Sequence, residues 1–239
     1  MPTVNSDTTD GQQSSGFNSS WDVVHDLANG QASPGISNAY WGFGVRAVYE
    51  SGRGLYYITR SFFDFDTSGI TGTLSSATLK IRSYQNTGPG LFIVKSGHDP
   101  STTTDEWYST WLTDQGITLS GWGSGDVTAY ASEVDKNGVT AGAWITFTLN
   151  ATALNDIKNN NDFKIVLMTD RDYNDSAPSG TSGEIFGLYY ANSSGNEPYI
   201  EYTLAGAGAY GEDVIGVVSA NIGKVIGVAT ANVGKVSGV

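Results

Sequence analysis

In "SATLKIRSY", Ala77, Leu79 and Ile81 alternate with Thr78, Lys80 and Arg82, and in "WITFTL" Ile145, Phe147 and Leu149 alternate with Trp144, Thr146 and Thr148. A period of two sends successive side chains to opposite faces, so each segment reads as a strand with one buried and one wet face. "GLYYITRSFFDFD", "GLFIVKS", "FKIVLMT", "EIFGLYYA" and "PYIEYTL" extend the series, bounded by Gly, Asn, Asp and Ser. Many short strands separated by turn residues predict an all-β chain, an antiparallel jelly-roll β-sandwich. Composition agrees: 31 Gly, 13 Tyr and 6 Trp with only 15% charged residues suit turn-rich sheets and not helical bundles.

Helical signals are few and short. Thr152 is a candidate cap for "ALNDIKNNN", whose Leu154 and Ile157 share a face, and Asp126 for "VTAYASEV", with Val127, Ala131 and Val134 at helical spacing. In "TTDEWYSTWL", Trp107 and Trp111 would share the face of a helical turn. Residues 1–16 hold little to bury and read as a flexible leader; 17–204 as the sandwich; 205–213, with "GAGAYGED", as a hinge; and 214–239 as a repeat segment.

The absence of cysteine excludes disulfides, thiolate catalysis and cysteine-built metal centres. A formal net charge of −12 opposes phosphate binding, so nucleic acid is not an expected ligand. The first residues have neither a basic nor an apolar region, so no signal peptide is expected. The apolar end is interrupted by Asn221, Lys224, Asn232 and Lys235, which argues against a membrane span.

The order of these segments resembles the DNRLRE family of jelly-roll modules, related to carbohydrate-binding modules and found in phage structural proteins. The resemblance is carried by Arg60-Ser61-Phe62-Phe63-Asp64-Phe65-Asp66-Thr67-Ser68, then "SSATLKIRSY", Glu106-Trp107 with Trp111, "WITFTLNATALNDI", and Pro198-Tyr199-Ile200-Glu201-Tyr202. It covers roughly Phe17 to Leu204. It implies an antiparallel jelly roll that in some relatives binds polysaccharide, and it does not imply catalysis.

An exposed Trp or Tyr offers a sugar ring a flat apolar platform, while neighbouring Asp, Asn and Arg bond its hydroxyls. Most aromatics in a sheet protein fill cores, so the loop residues Trp41, Trp122 and Tyr173, flanked by Gly or Asp, are the glycan-binding candidates. In "TDRDYNDSAPSG", Asp170, Asp172 and Asp175 are hard oxygen donors that suit a structural Ca²⁺; the same run also reads as a solvated turn. His25 and His98 are isolated, no spacing selects a carboxylate pair, and no phosphate-binding loop is present. The expectation is a protein without enzymatic activity or a cofactor.

The closing "VIGVVSANIGKVIGVATANVGKVSGV" repeats an eleven-residue unit twice and begins it again, with eight of the eleven positions identical between the full copies. Such a period fits a right-handed helical supercoil, but two Gly per unit cost about 1 kcal/mol each inside a helix, and Val and Ile favour strands. The unit is expected to form a short V-I-G-V strand with a bend at Ala-Asn-x-Gly. A repeat too short to cap itself needs partners for Val214, Ile215, Val217, Asn221, Ile222, Val225, Ile226, Val228, Asn232 and Val233. Three copies about an axis, or docking on other virion proteins, would supply them.

Taken together these features point to a non-enzymatic virion component, a phage tail, fibre or head-decoration protein, displaying a jelly roll that binds cell-surface polysaccharide. A free extracellular carbohydrate-binding module is the alternative, followed by a polysaccharide-degrading enzyme.

Overall fold

The computed structural model describes residues 1–27, 31–33, 44–86, 90–98, 107–135, 140–179, 184–191, 193–205, 224–225 and 228–229. The chain opens with strands β1 (Thr3–Asn5) and β2 (Gly11–Ser14), helix α1 (Trp21–His25) and strands β3 (Gln31–Ser33), β4 (Gly44–Glu50), β5 (Leu55–Asp66), β6 (Leu74–Asn86) and β7 (Leu91–Lys95). Helix α2 (Trp107–Thr113), strand β8 (Trp144–Thr148), helix α3 (Ala151–Asn159), strand β9 (Asp162–Thr169) and helix α4 (Asp170–Tyr173) follow. Strands β10 (Glu184–Leu188) and β11 (Tyr199–Leu204) complete the main body, and β12 (Lys224–Val225) and β13 (Val228–Ala229) lie in the repeat.

Every strand pairing is antiparallel. In one sheet β11 pairs with β1 and β6, and β6 with β8. In the other β5 pairs with β9 and β9 with β7, while residues 129–134 run along the far edge of β7 through bridges Ala129↔Val94 and Val134↔Leu91. Counting β1, β5, β6, β7, the 129–134 segment, β8, β9 and β11 as strands one to eight, the two layers run 1-8-3-6 and 2-7-4-5, the order of a jelly roll, and β10, paired with both β6 and β4, joins them along one side. Long β5 carries extra strands. Thr59 pairs with both Arg46 and Ser14, and Phe62 with both Gly11 and Val166, so β4 and β9 share one edge of β5 in succession while β2 covers the other.

The alternation expected for "SATLKIRSY" and "WITFTL" is the observed one: Ala77, Leu79, Ile81, Ile145, Phe147 and Leu149 all face the core between the sheets. Phe63, Phe65, Ile93 and Leu167 meet them from the opposite sheet. A second apolar layer lies outside that sheet, where α1, α2 and the 114–126 loop cover Phe62, Val94, Val166, Ala47 and Ile58.

Three local expectations are corrected. Residues 1–16 are not a free leader, because β1 extends one sheet and β2 is buried throughout against β5. "VTAYASEV" is not a helix but takes the place of the fifth jelly-roll strand through two isolated bridges: β7 has an open edge to satisfy, and Tyr130 N and Val134 N donate to Ile93 O and Leu91 O at 3.0 Å. The cap of α3 is Asn150, whose side chain accepts from Ala153 N at 3.0 Å, and Thr152 lies inside the helix.

In the repeat, β12 and β13 pair antiparallel, Lys224 with Ala229 and Val225 with Val228, and the expected bends at Ala-Asn-x-Gly lie outside the described residues. Val214, Ile215, Val217, Asn221, Ile222, Ile226, Asn232 and Val233 lie outside the described residues, as does most of the 205–213 hinge. Among the described residues, no helix is long and apolar enough to cross a membrane.

Candidate functional site

Two of the glycan-binding candidates singled out in the sequence, Trp122 and Tyr173, lie in or against the outer layer. Trp122 is 1% exposed. Its ring stacks on His25 at 4.3 Å, meets Trp111 edge-on at 5.2 Å, and has the Arg60 guanidinium 5.1 Å from its centre. Flanking glycines suggested a surface loop, but the loop folds back over the sheet and buries its Trp. Tyr173 is half-buried and stacked on Phe92 at 3.9 Å, and Trp41 lies outside the described residues.

The acidic run is drawn into the same layer. Asp172 is fully buried and forms a two-pronged pair with Arg60, Nε to Oδ2 at 2.8 Å and Nη2 to Oδ1 at 2.7 Å. Arg60 Nη2 also donates to His25 O at 3.1 Å, and the His25 ring lies between Asp26 Oδ1 at 2.7 Å and Asp172 O at 3.0 Å. Asp175 accepts the Trp21 indole N–H at 2.8 Å, and Asp170 begins α4 with its N–H on Gly90 O. The Asp172 and Asp175 carboxylates are thus held by Arg60 and by the Trp21 indole, both also facing the His25 ring, and no group of three or more metal-ligating side chains gathers among the described residues. The cluster ties α1, α4 and the 121–126 loop to the sheet.

A cleft of about 540 Å³ lies beside Lys95, Tyr130 and Lys164. Lys95 Nζ is closed by Asp156 at 2.9 Å, and the same oxygen accepts the Tyr130 hydroxyl at 2.6 Å. Burial pushes the Asp156 carboxyl upward, but the Tyr130 and Lys95 hydrogen bonds outweigh it and hold the group below its usual value.

The surface best suited to a ligand is the outer face of the β1-β11-β6-β8 sheet. Lys80, Arg82 and Tyr84 alternate outward along β6, Trp144 stands opposite Arg82 on β8, and Tyr199 stands opposite Lys80 on β11. Although β8 and β11 flank β6, the Trp144 and Tyr199 rings meet across it at 5.1 Å, nearly perpendicular. Tyr84 meets Tyr189 in the same way at 5.7 Å. The Arg82 guanidinium links the two pairs, 5.8 Å from Trp144 and 5.9 Å from Tyr189, and is aimed by Nε to Gly142 O at 3.0 Å and Nη1 to Asn196 Oδ1. Lys80 lies over Tyr199 and pairs with Glu201 at 2.6 Å, a bond that raises the lysine's affinity for its proton.

Trp144 and Tyr84 are each 36% exposed, among the most exposed large rings of the described residues. Holding them costs little because aromatic and cation–π neighbours brace each ring. The chemical offer is stacking surface interleaved with fixed N–H donors, which suits a hydroxyl-bearing ring. Of these residues only Tyr189 stands among the aromatics that the sequence offers as platforms, and none is among its preferred loop candidates. The available signal was a Trp on the wet side of an alternating strand, where Thr is the ordinary occupant. The sequence matches no family model, and no curated protein is significantly similar to it.

Proposed function

We propose that this chain is a non-enzymatic virion structural and adhesion protein, a component of a phage tail, fibre or head decoration, whose jelly roll binds surface glycan on its outer aromatic face. The observation carrying the glycan reading is the exposed Trp144 ring against half-buried Tyr199, continued through Arg82 to Tyr189 and exposed Tyr84. The virion reading is supported by the resemblance to DNRLRE modules of phage structural proteins and by a repeat that asks for neighbouring chains, a homotrimer being the simplest closed solution. A free extracellular carbohydrate-binding module would use the same face, and locating the protein on or off purified particles separates the two.

Trp144→Ala tests the face directly. On a glycan array the wild-type chain should retain a defined set of polysaccharides, and the variant should bind the same set about tenfold more weakly with its thermal melting unchanged. Equal binding by the two chains removes Trp144 from the site.

A further inference from the structure

The ring pairs of the aromatic face are close to perpendicular, 74° for Trp144–Tyr199 and 78° for Tyr84–Tyr189, so each pair can lay only one ring flat against a ligand. Two separate platforms result, with Arg82 between them. The distances from Arg82 to Trp144 and to Tyr189 keep those two rings within about 12 Å of each other. From Lys80 to Tyr84, β6 advances about 13 Å at the usual strand rise, roughly the length of two to three linked pyranose rings. One terminal sugar would occupy one platform and leave the other exposed to water.

Charge narrows the ligand further. A chain of formal net charge −12 repels polyanions at long range. On the face itself Lys80 is neutralised by Glu201, and Arg82 already gives two of its nitrogens to Gly142 O and Asn196 Oδ1. A single guanidinium, partly engaged, matches hydroxyl and ring-oxygen acceptors and not a polymer with a charge on every sugar.

We infer that the occupant is the interior of a linear, uncharged polysaccharide, lying across both platforms with Arg82 bonding the oxygens between the stacked sugars. The inference rests on the glycan-binding reading of this face.

Calorimetric titration of the full chain tests it, using cello-, xylo- and manno-oligosaccharides of increasing length beside oligogalacturonate and heparin oligosaccharides. The affinity for one neutral series should rise about tenfold or more from monosaccharide to trisaccharide and then level, with little dependence on salt. Tyr84→Ala should flatten that rise while leaving the affinity for the shortest ligands in place, a result that general loss of structure does not produce. Phe17→Ala, on the other sheet against Tyr57, should change nothing. Length-independent binding overturns the two-platform inference, and a salt-sensitive preference for the charged oligomers overturns the uncharged one, each leaving the glycan reading intact. Silence towards every oligosaccharide by a normally folded chain overturns both.

Discussion

Asp172 shows how much one side chain can be committed to. Its carboxylate and the Arg60 guanidinium have no solvent exposure, and each satisfies the other's charge. Removing one partner leaves a bare charge in an apolar layer of Trp111 and Trp122, so Asp172→Ala should cost about 3–5 kcal/mol in denaturant unfolding. The paired replacement Arg60→Met with Asp172→Leu should recover most of that loss, because the desolvation cost disappears with both charges. Asp10 is the opposite case, a buried acid without a cationic partner among its described contacts. Burial lifts its carboxyl well above the usual carboxylate range, and the charges of Asp64 and Asp7 add to the rise. The folded state therefore holds this proton more tightly than the unfolded state. Its contribution is present in full below the unfolded value of about 3.9 and is lost as pH rises through the folded value. Asp10→Asn keeps an acceptor for Asp64 N–H, so the variant's melting temperature should exceed the wild type's by a margin that widens from pH 4 upward. A margin constant with pH would refute this.

At the scale of elements, α3 depends on the residue that caps it. Asn150 accepts from Ala153 N at 3.0 Å, and its Nδ2 donates to Ala129 O at 2.8 Å, so it caps the helix and fastens it to the fifth jelly-roll strand. Asn150→Ala should destabilise the protein by about 1–2 kcal/mol, while Thr152→Ala should change stability by less than about 0.5 kcal/mol. Thermal unfolding of the two variants distinguishes the caps. The 127–134 segment teaches the complementary lesson. Val127, Ala131 and Val134 have helical spacing, yet the open backbone of β7 draws the segment into extended pairing, since unpaired N–H and C=O groups at a buried edge cost more than local propensity supplies.

For the whole molecule, the decisive question is whether the repeat makes partners. If it assembles the chain, the full protein should sediment as an oligomer and a chain ending at Leu204 as a monomer, measured by analytical ultracentrifugation. Equal masses for the two would remove the repeat from assembly. The jelly roll closes its own core, so the shortened chain should keep its melting temperature within about 2–4 °C, corresponding to a change near 1 kcal/mol. The antiparallel pairing of Val225 with Val228 is the part of the repeat that the described residues contribute to this question.

Periodicity alone determined the class of fold and the inward residues of its strands: Ala77, Leu79, Ile81, Ile145 and Phe147 are legible because alternation is a local property of the backbone. The leader was misread because β2 contributes Gln12 and Gln13 to the interior, polar side chains whose burial depends on partners far along the chain, such as Gly44 N, which donates to Gln12 Oε1 at 2.7 Å. Asp172 and Trp122 were misread for the same reason. Only tertiary structure could gather the aromatic face, because Tyr84, Trp144, Tyr189 and Tyr199 come from separate segments and become neighbours through the register of β6 with β8, β10 and β11. Outward-facing rings carry no mark in sequence that tells a brace from a platform; that difference is one of exposure, which the assembled sheet alone sets.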